Sequence, residues 1–374
     1  MNLEAHLSEL AVPEAAAFRA VIDRLRTLPE REPSADLTGR ILAAVDSDRG
    51  RRRSDPPWVH APWWVAAAAM AAGLLAIVTL FAPPARRGTG PSPEMRLAWL
   101  AASQERDGSW DPLRHGGDAA YRPALTALSA LALAQNPKGY AENIRRACDA
   151  LTALQTGDGA FGGTGRALYY NQAITTYALA ALRPQRPELK PALERAVGFM
   201  RARQTAEGGW DYEAGSEGNA AITAWQVRAL ACAAEQGVGG ANVPLRKGLR
   251  WLRGSTRDDD GSVAYHRGSG ARSESLTALA AYALITAGKA FPELPPVGQH
   301  AASSLKVHPD ARAGADCYRD YAKVLAFEAV GESRRADAVR GRMLKRQEIG
   351  EDDQWENVGG RLYTTALTAL VAKR

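Results

Sequence analysis

Cysteine is scarce in this sequence, whose 374 residues include only Cys148, Cys232 and Cys317. An odd count leaves at least one thiol unpaired, and a chain of this length can bury a core without disulfides. Aromatic residues make up only 7% of the chain, so we expect alanine-rich helices that pack closely. Only eight of the 47 basic residues are lysines, and no basic block is interleaved with aromatics, which argues against nucleic acid as a partner.

Charge is absent from one long segment, Trp63–Ala82, whose 20 residues would form about 30 Å of helix, the thickness of the hydrocarbon core of a bilayer. Arginines at 49 and 51–53 precede the segment, and only two, at 86 and 87, follow it. The positive-inside rule therefore predicts a single-pass inner-membrane protein with a cytoplasmic N-terminus and an extracytoplasmic remainder. The first 30 residues are polar and charged, unlike a secretory signal peptide. The alternative is that the segment forms a buried core helix.

The first 58 residues are expected to be a small helical cytoplasmic segment, followed by a transmembrane helix at 59–83 and a linker at 84–92. Pro13–Leu28 and Ala35–Val45 each place apolar residues on one helical face. Short helices, an arginine-rich run and an alanine-rich span resemble the cytoplasmic part of bacterial transmembrane anti-sigma factors. The zinc motif of that family is missing, because no cysteine occurs before Cys148. The alternative is an anchor segment without a partner.

A repeat occupies the chain beyond residue 93. Gln104–Trp110 (QERDGSW) recurs as Gln155–Phe161 and Gln204–Trp210, and a fourth copy keeps its acid and glycine at Asp260-Gly261. The glycines lie 51, 49 and 53 residues apart, a degenerate unit spans 305–330, and a worn last copy spans 347–355. We interpret Asp-Gly as a turn that needs a glycine with positive φ. The structural turn residues are Gln104, Asp107, Gly108, Trp110, Gln155, Asp158, Gly159, Phe161, Gln204, Gly208, Trp210, Asp260 and Gly261.

Each repeat combines an arginine-rich amphipathic helix before the turn with an almost uncharged Ala/Leu/Thr-rich helix after it, as in Ala141–Gln155 and Ala173–Leu182. A helix that is apolar on one face belongs outside, and one that is apolar all round belongs inside. Residues 93–374 are therefore predicted to form one all-α domain, an α/α toroid of about six helical hairpins.

The QxxDGSW-like copies resemble the QW motifs of squalene–hopene cyclases and the repeats of protein prenyltransferase β subunits. The phrase Gly359–Leu370, after Asp316–Tyr321, resembles bacterial membrane-tethered repeat proteins of the same superfamily. The resemblance covers about 280 residues and implies the toroid fold. The motif belongs to the scaffold, so it implies no particular activity.

The residues that carry activity in that superfamily are not matched. Cyclases use an Asp-x-Asp-Asp constellation, whereas this chain has Asp258-Asp259-Asp260, in which Asp260 is a turn residue and the others are expected on a solvated loop. Prenyltransferases bind zinc with an aspartate two residues before a cysteine, but Asp316 is adjacent to Cys317, and the expected histidine is missing from the last repeat. A site made from these two residues and His308 is the alternative to no metal. We expect no metal and no cofactor.

Ten polar residues follow their turns at similar distances and are expected to converge on one mouth of the toroid, where phenols would bind a ligand by stacking and hydrogen bonds. They are Tyr121, Tyr169, Tyr170, Asn171, Asn219, Glu274, Asp316, Tyr318, Tyr321 and Tyr363. The alternative is that each tyrosine packs on its helix with its hydroxyl in water.

The leading interpretation is a membrane-anchored binding module that takes a peptide, a protein or a lipid-like ligand at this mouth. A diverged isoprenoid-type enzyme, either terpene cyclase or prenyltransferase-like, is the first alternative. A transmembrane signalling protein whose cytoplasmic helices hold a sigma factor is the second.

Overall fold

The computed structural model describes residues 91–212, 217–293, 296–307, 316–345 and 356–372. The predicted cytoplasmic segment, the predicted transmembrane helix and the last turn copy at 347–355 lie outside these residues. Within the described ranges no helix combines the length and the apolar character needed to cross a bilayer. The same ranges contain no β-strand, only two isolated bridges, which pair Thr256 with Val263 and Ala264 with Arg272.

Twelve α-helices make up the described part of the chain. They are α1 Pro93–Ala102, α2 Arg122–Leu133, α3 Ala141–Leu154, α4 Gly165–Leu182, α5 Lys190–Ala202, α6 Ala220–Glu235, α7 Asn242–Ser255, α8 Glu274–Gly288, α9 Val297–Ser304, α10 Cys317–Ala329, α11 Ser333–Lys345 and α12 Glu356–Val371. Short 3-10 turns occupy Pro112–His115, Ala119–Tyr121, Arg183–Gln185 and Pro187–Leu189. The all-helical prediction is confirmed for the described residues.

The even-numbered helices contact one another in a closed cycle. α2 packs on α4, α4 on α6, α6 on α8, α8 on α10, α10 on α12, and α12 returns to α2. We call these six the ring helices. The odd-numbered helices, which we call the flanking helices, lie beside this cycle: α3, α5, α7, α9 and α11 each pack mainly on the ring helix that precedes them in sequence, and α1 packs on α12 and α2.

Flanking helices and ring helices differ in which of their residues are buried, as the sequence predicts. In flanking helix α3 the buried residues are Ile144, Ala147, Cys148 and Leu151, the spacing of one helical face. Ring helix α2 buries ten of its twelve residues, because it is covered on both sides and by its flanking helices. The expectation that ring helices are nearly uncharged is wrong for α10, which buries Asp320 and Lys323.

Those two charges are buried with partners. Lys323 Nζ donates to Glu274 Oε2 at 2.7 Å and to the Lys306 carbonyl at 2.8 Å. Asp320 accepts hydrogen bonds from Arg342 on α11 at 2.7 and 3.0 Å. An inner position therefore tolerates charge where the neighbouring helices supply the opposite sign and the missing hydrogen bonds.

The turn glycines have the predicted conformation. The φ angles are 88° at Gly108, 94° at Gly159, 95° at Gly208 and 68° at Gly261. A Cβ atom on Gly208 would lie 2.8 Å from the carbonyl oxygen of Lys247 on the next flanking helix. Each turn thus needs glycine for its backbone angle, and here also for its close approach to the next repeat.

The glutamines join successive repeats. Gln104 Nε2 donates to the Gly108 carbonyl of its own turn at 2.8 Å and to the Asn143 carbonyl on α3 at 2.9 Å. Gln204 makes the same pair of bonds to Gly208 and to Pro244 on α7. One amide group therefore closes the turn and ties it to the next flanking helix.

The aromatic residue of the motif ties the turn back to its own repeat. Trp110 and Trp210 are fully buried, and their indole N–H groups donate at 2.8 Å to the carbonyls of Leu100 and Met200 respectively. The aspartate caps the turn: Asp107 Oδ1 accepts bonds from the backbone and hydroxyl of Ser109, and the backbone bond lowers the pKa of that carboxyl.

Candidate ligand pocket

A pocket opens between the first turns of the ring helices. Its lining residues are Tyr121, Ala124, Leu125, Leu128, Tyr170, Ile174, Trp225, Tyr318, Gly359 and Tyr363. We call this space the tyrosine pocket. The pocket and its open side together contain about 450 Å³ of empty space. The enclosed cavity is much smaller, about 30 Å³. A ligand larger than a few waters therefore has to displace side chains.

Four of the ten predicted mouth residues line this pocket together, namely Tyr121, Tyr170, Tyr318 and Tyr363. They come from four separate repeats and meet at this pocket, and ligand binding by them stays a prediction. Tyr170 and Tyr318 are buried, whereas Tyr121 and Tyr363 are partly exposed. The two partly exposed rings have the greater freedom to rotate when a ligand enters.

A hydrogen bond crosses the wall of the pocket. The indole N–H of Trp225 on α6 donates to the phenol oxygen of Tyr318 on α10 at 2.8 Å. Burial raises the pKa of Tyr318, and burial together with the nearby phenols of Tyr318 and Tyr212 raises the pKa of Tyr170. Both phenols therefore stay neutral at physiological pH and remain hydrogen-bond donors.

The tyrosine pocket continues into a polar cluster, of which the sequence analysis predicted only Asn219. The rings of Tyr170 and Tyr212 lie 6.5 Å apart. Burial, followed by a hydrogen bond with Tyr212, raises the pKa of Tyr265. Asn219 Nδ2 donates to the Tyr265 phenol at 3.2 Å and to Asp211 Oδ1 at 3.1 Å. His266 Nδ1 lies 3.7 Å from Asp211 Oδ2. A row of polar groups thus connects the pocket to a half-exposed histidine.

Two predicted mouth residues on α4, Tyr169 and Asn171, do not line the pocket. Tyr169 is buried, and its carbonyl accepts a bond from Gln226 on α6 at 3.2 Å. Asn171 joins two ring helices: its Oδ1 accepts the Ala124 N–H, and its Nδ2 donates to the Ala120 carbonyl. Consecutive helical residues point about 100° apart, so only Tyr170 of this run of three can face the pocket.

The remaining four predicted mouth residues cap helices or bond to side chains of neighbouring helices. Asn219 and Asp316 cap α6 and α10 by accepting backbone N–H groups. Glu274 pairs with Lys323, as described above. Tyr321 is buried one helical turn beyond Tyr318 and accepts a bond from Arg228 at 2.9 Å. Glu274, Asp316 and Tyr321 do not line the tyrosine pocket: Glu274 and Tyr321 are bonded to side chains of neighbouring helices, and Asp316 caps its own helix.

The described residues do not assemble the alternative catalytic or metal site. The side chains of Asp258, Asp259 and Asp260 are 80%, 58% and 59% exposed, as expected for a solvated loop. Cys317 is buried, with Sγ 4.0 Å from Thr368 Oγ1, and Asp316 faces its own helix start. Among the described residues, which leave out His308, no three metal-ligating side chains come together. All three cysteines are free thiols.

Several important residues were missed from the sequence. Trp225 and Arg228 lie on α6, within a helix that the sequence analysis described as almost uncharged. Tyr212 and Tyr265 each follow a turn glycine, Gly208 and Gly261, by four residues and were not among the predicted mouth residues. A weak signal exists for Arg228, because it is the one basic residue in its 16-residue helix.

Comparison with known proteins supports the fold alone. No protein-family model matches the chain, and no curated protein matches it in sequence. Among solved structures, one described as a novel alpha-amylase from Clostridium perfringens superposes with a TM-score of 0.53 at 9% identity, over 77% of this chain and 99% of that one. At this identity the match shows a shared arrangement of elements and carries no activity across.

Proposed function

We propose that this chain is a bacterial single-pass inner-membrane protein whose extracytoplasmic part is an α/α toroid that binds the apolar portion of a ligand in the tyrosine pocket. The closed cycle of ring helices supports the toroid. The uncharged segment at 63–82 and its flanking arginines support the anchor and its orientation.

The observation that carries the binding proposal is the chemistry of the lining. The ten lining residues comprise aliphatic side chains, one indole, four phenols and a glycine, and none carries a charge. Such a surface removes apolar groups from water and orients them with a few hydroxyls. A lipid-like ligand or an apolar side chain of a peptide fits this description better than a sugar or a nucleotide does.

The same lining argues against glycoside hydrolysis as the activity of this pocket. That reaction uses a pair of carboxylates on either side of the scissile bond, and the described lining residues include none. The alternative of a diverged isoprenoid-type enzyme is favoured by one observation: Asp211 is a buried carboxylate near the pocket, at 7% exposure. The signalling alternative depends on residues 1–58, which lie outside the described residues.

Photolabelling of the full chain tests the binding proposal. A neutral alkyl diazirine is irradiated with the detergent-solubilised protein, and labelled residues are located by mass spectrometry. We expect labels on α2 and α4 residues of the pocket as well as on the segment 63–82. The change Ala124→Leu fills the pocket and should lower its labelling by about tenfold, a loss of roughly 1.4 kcal/mol of binding.

The matched control is Ala141→Leu, the same substitution at an exposed position of α3. It should leave the pocket labelling at the wild-type level. Labelling that is confined to 63–82 in the wild-type protein would contradict the proposal, as would equal labelling in the two variants.

A further inference from the structure

Arg228 is a buried cation in the interior of the ring. It lies at the middle of α6, and only 7% of the residue is exposed. No described carboxylate lies within ion-pairing distance of its guanidinium group. Of the other two buried arginines among the described residues, Arg340 pairs with Glu328 and Asp337, whereas Arg96 donates to the Leu344 carbonyl. A buried charge that lacks an opposite charge is costly.

Aromatic rings hold the guanidinium group in place. Its central carbon lies 4.0 Å from the ring centre of Tyr177, 4.9 Å from Trp225, 5.0 Å from Tyr282 and 5.9 Å from Tyr321. These rings come from four different ring helices. Such cation–π contacts stabilise a desolvated cation and fix its orientation. They do not neutralise it.

The guanidinium group of Arg228 has a hydrogen-bond acceptor for one of its nitrogens and none for another. Nη1 donates to the Tyr321 phenol oxygen at 2.9 Å, and the buried Nε has no hydrogen-bond partner. A buried donor without an acceptor destabilises the folded chain. Burial would lower the pKa of Arg228, but the surrounding phenols outweigh it and raise that pKa, so the group remains a full positive charge.

We propose that Arg228, framed by Tyr177, Tyr282 and Tyr321, binds a small oxyanion, either a carboxylate or a phosphate, inside the ring. The site is separate from the tyrosine pocket, because Trp225 stands between them: it lines that pocket and contacts Arg228. Tyr177 and Tyr282 are partly exposed and 7% of Arg228 is exposed, so solvent reaches this cluster. The planar fork of arginine matches both anions, and neighbouring phenols can add hydrogen bonds.

Calorimetric titration of the full chain with sodium phosphate and, separately, sodium acetate at constant ionic strength tests this site. We expect saturable binding to the wild-type protein. The change Arg228→Lys keeps the charge but loses the fork, and should weaken binding by about tenfold or more. The control Arg250→Lys alters an exposed arginine on α7 and should bind like the wild type. Tighter binding of phosphate assigns a phosphoryl ligand, and tighter binding of acetate assigns a carboxylate.

A wild-type measurement keeps the proposal testable if Arg228→Lys does not fold. Phenylglyoxal modifies accessible arginines, and a saturating concentration of whichever anion binds more tightly should protect Arg228 from it while Arg250 still reacts. Absence of saturable binding by both anions would overturn the proposal. Equal binding by the two lysine variants would overturn it as well. So would an extent of modification of Arg228 that is the same with and without that anion.

Discussion

Gly159 lies directly against the backbone carbonyl of Arg195 on α5, so that the second turn and the third flanking helix touch through their main chains. Gln155, at the start of the same turn, donates to the Ala192 carbonyl at 2.8 Å and accepts from Arg195 at 2.7 Å. The repeat motif is therefore a device for joining one hairpin to the next, and its residues can be tested one at a time.

The change Gly159→Ala should destabilise the fold by on the order of 1–3 kcal/mol. Gly159 has a φ of 94°, and the added Cβ would overlap the Arg195 carbonyl. Urea unfolding of the full chain, followed by circular dichroism, measures the loss. Gly157→Ala is the matched control, since a Cβ at Gly157 meets nothing within 4 Å. Equal stability of the two variants would show that the turn does not require glycine.

The change Tyr318→Phe should cost about 1–3 kcal/mol of unfolding free energy, because it leaves the buried indole N–H of Trp225 without its acceptor. A double-mutant cycle with Trp225→Phe isolates this bond. We expect the second substitution to cost clearly less in the Tyr318→Phe background than in the wild type. Strict additivity of the two losses would contradict the bond, and Tyr140→Phe at the half-buried start of α3 serves as a control.

Stability should fall at alkaline pH through Tyr321. Burial raises the pKa of this phenol to about 12 in the folded chain, against about 10 in the unfolded chain. The neutral form is favoured by folding, so this contribution is complete below pH 10 and is lost as the pH rises from about 10 to about 12. Its size is about 2–3 kcal/mol. Unfolding free energies between pH 8 and 11.5 should decline less steeply in Tyr321→Phe, and an identical decline would contradict the assignment.

The membrane topology follows from the arginine bias around 63–82. Alkaline phosphatase fused after residue 200 should be active in a bacterial host, and the same enzyme fused after residue 30 should be inactive, because it folds only outside the cytoplasm. Western blots of the two fusions control for expression. An inactive fusion at residue 200, at a normal level of expression, would reject the orientation.

Zinc content is expected to be far below one ion per chain. The spacing of Asp316 and Cys317 departs from the prenyltransferase motif, and both side chains have other contacts in the structure. Elemental analysis of the purified full chain measures this, and Cys317→Ala should leave the metal content and the fold unchanged. Stoichiometric zinc that disappears in Cys317→Ala would favour the transferase-like alternative instead.

The mouth illustrates how far a repeat pattern can locate a site. Equal distances from the turns placed Tyr121, Tyr170, Tyr318 and Tyr363 at corresponding heights, and these four do meet at one pocket. Distance along the chain says nothing about rotation around each helix axis, so the same reasoning also predicts Tyr169 at the mouth, and Tyr169 does not line the pocket.

The sequence by itself determined the parts of this protein that local rules govern. The spacing of apolar residues separated flanking from ring helices, and the repeated Asp-Gly pairs located turns whose glycines have positive φ, because these properties depend on neighbours within a few residues. Only the tertiary structure decided what lies inside the ring. The contacts of Arg228 with Tyr177 and Tyr282 and the bond between Trp225 and Tyr318 join residues 51 to 93 positions apart. Such pairs follow from the rotation and register of packed helices, which no local pattern fixes.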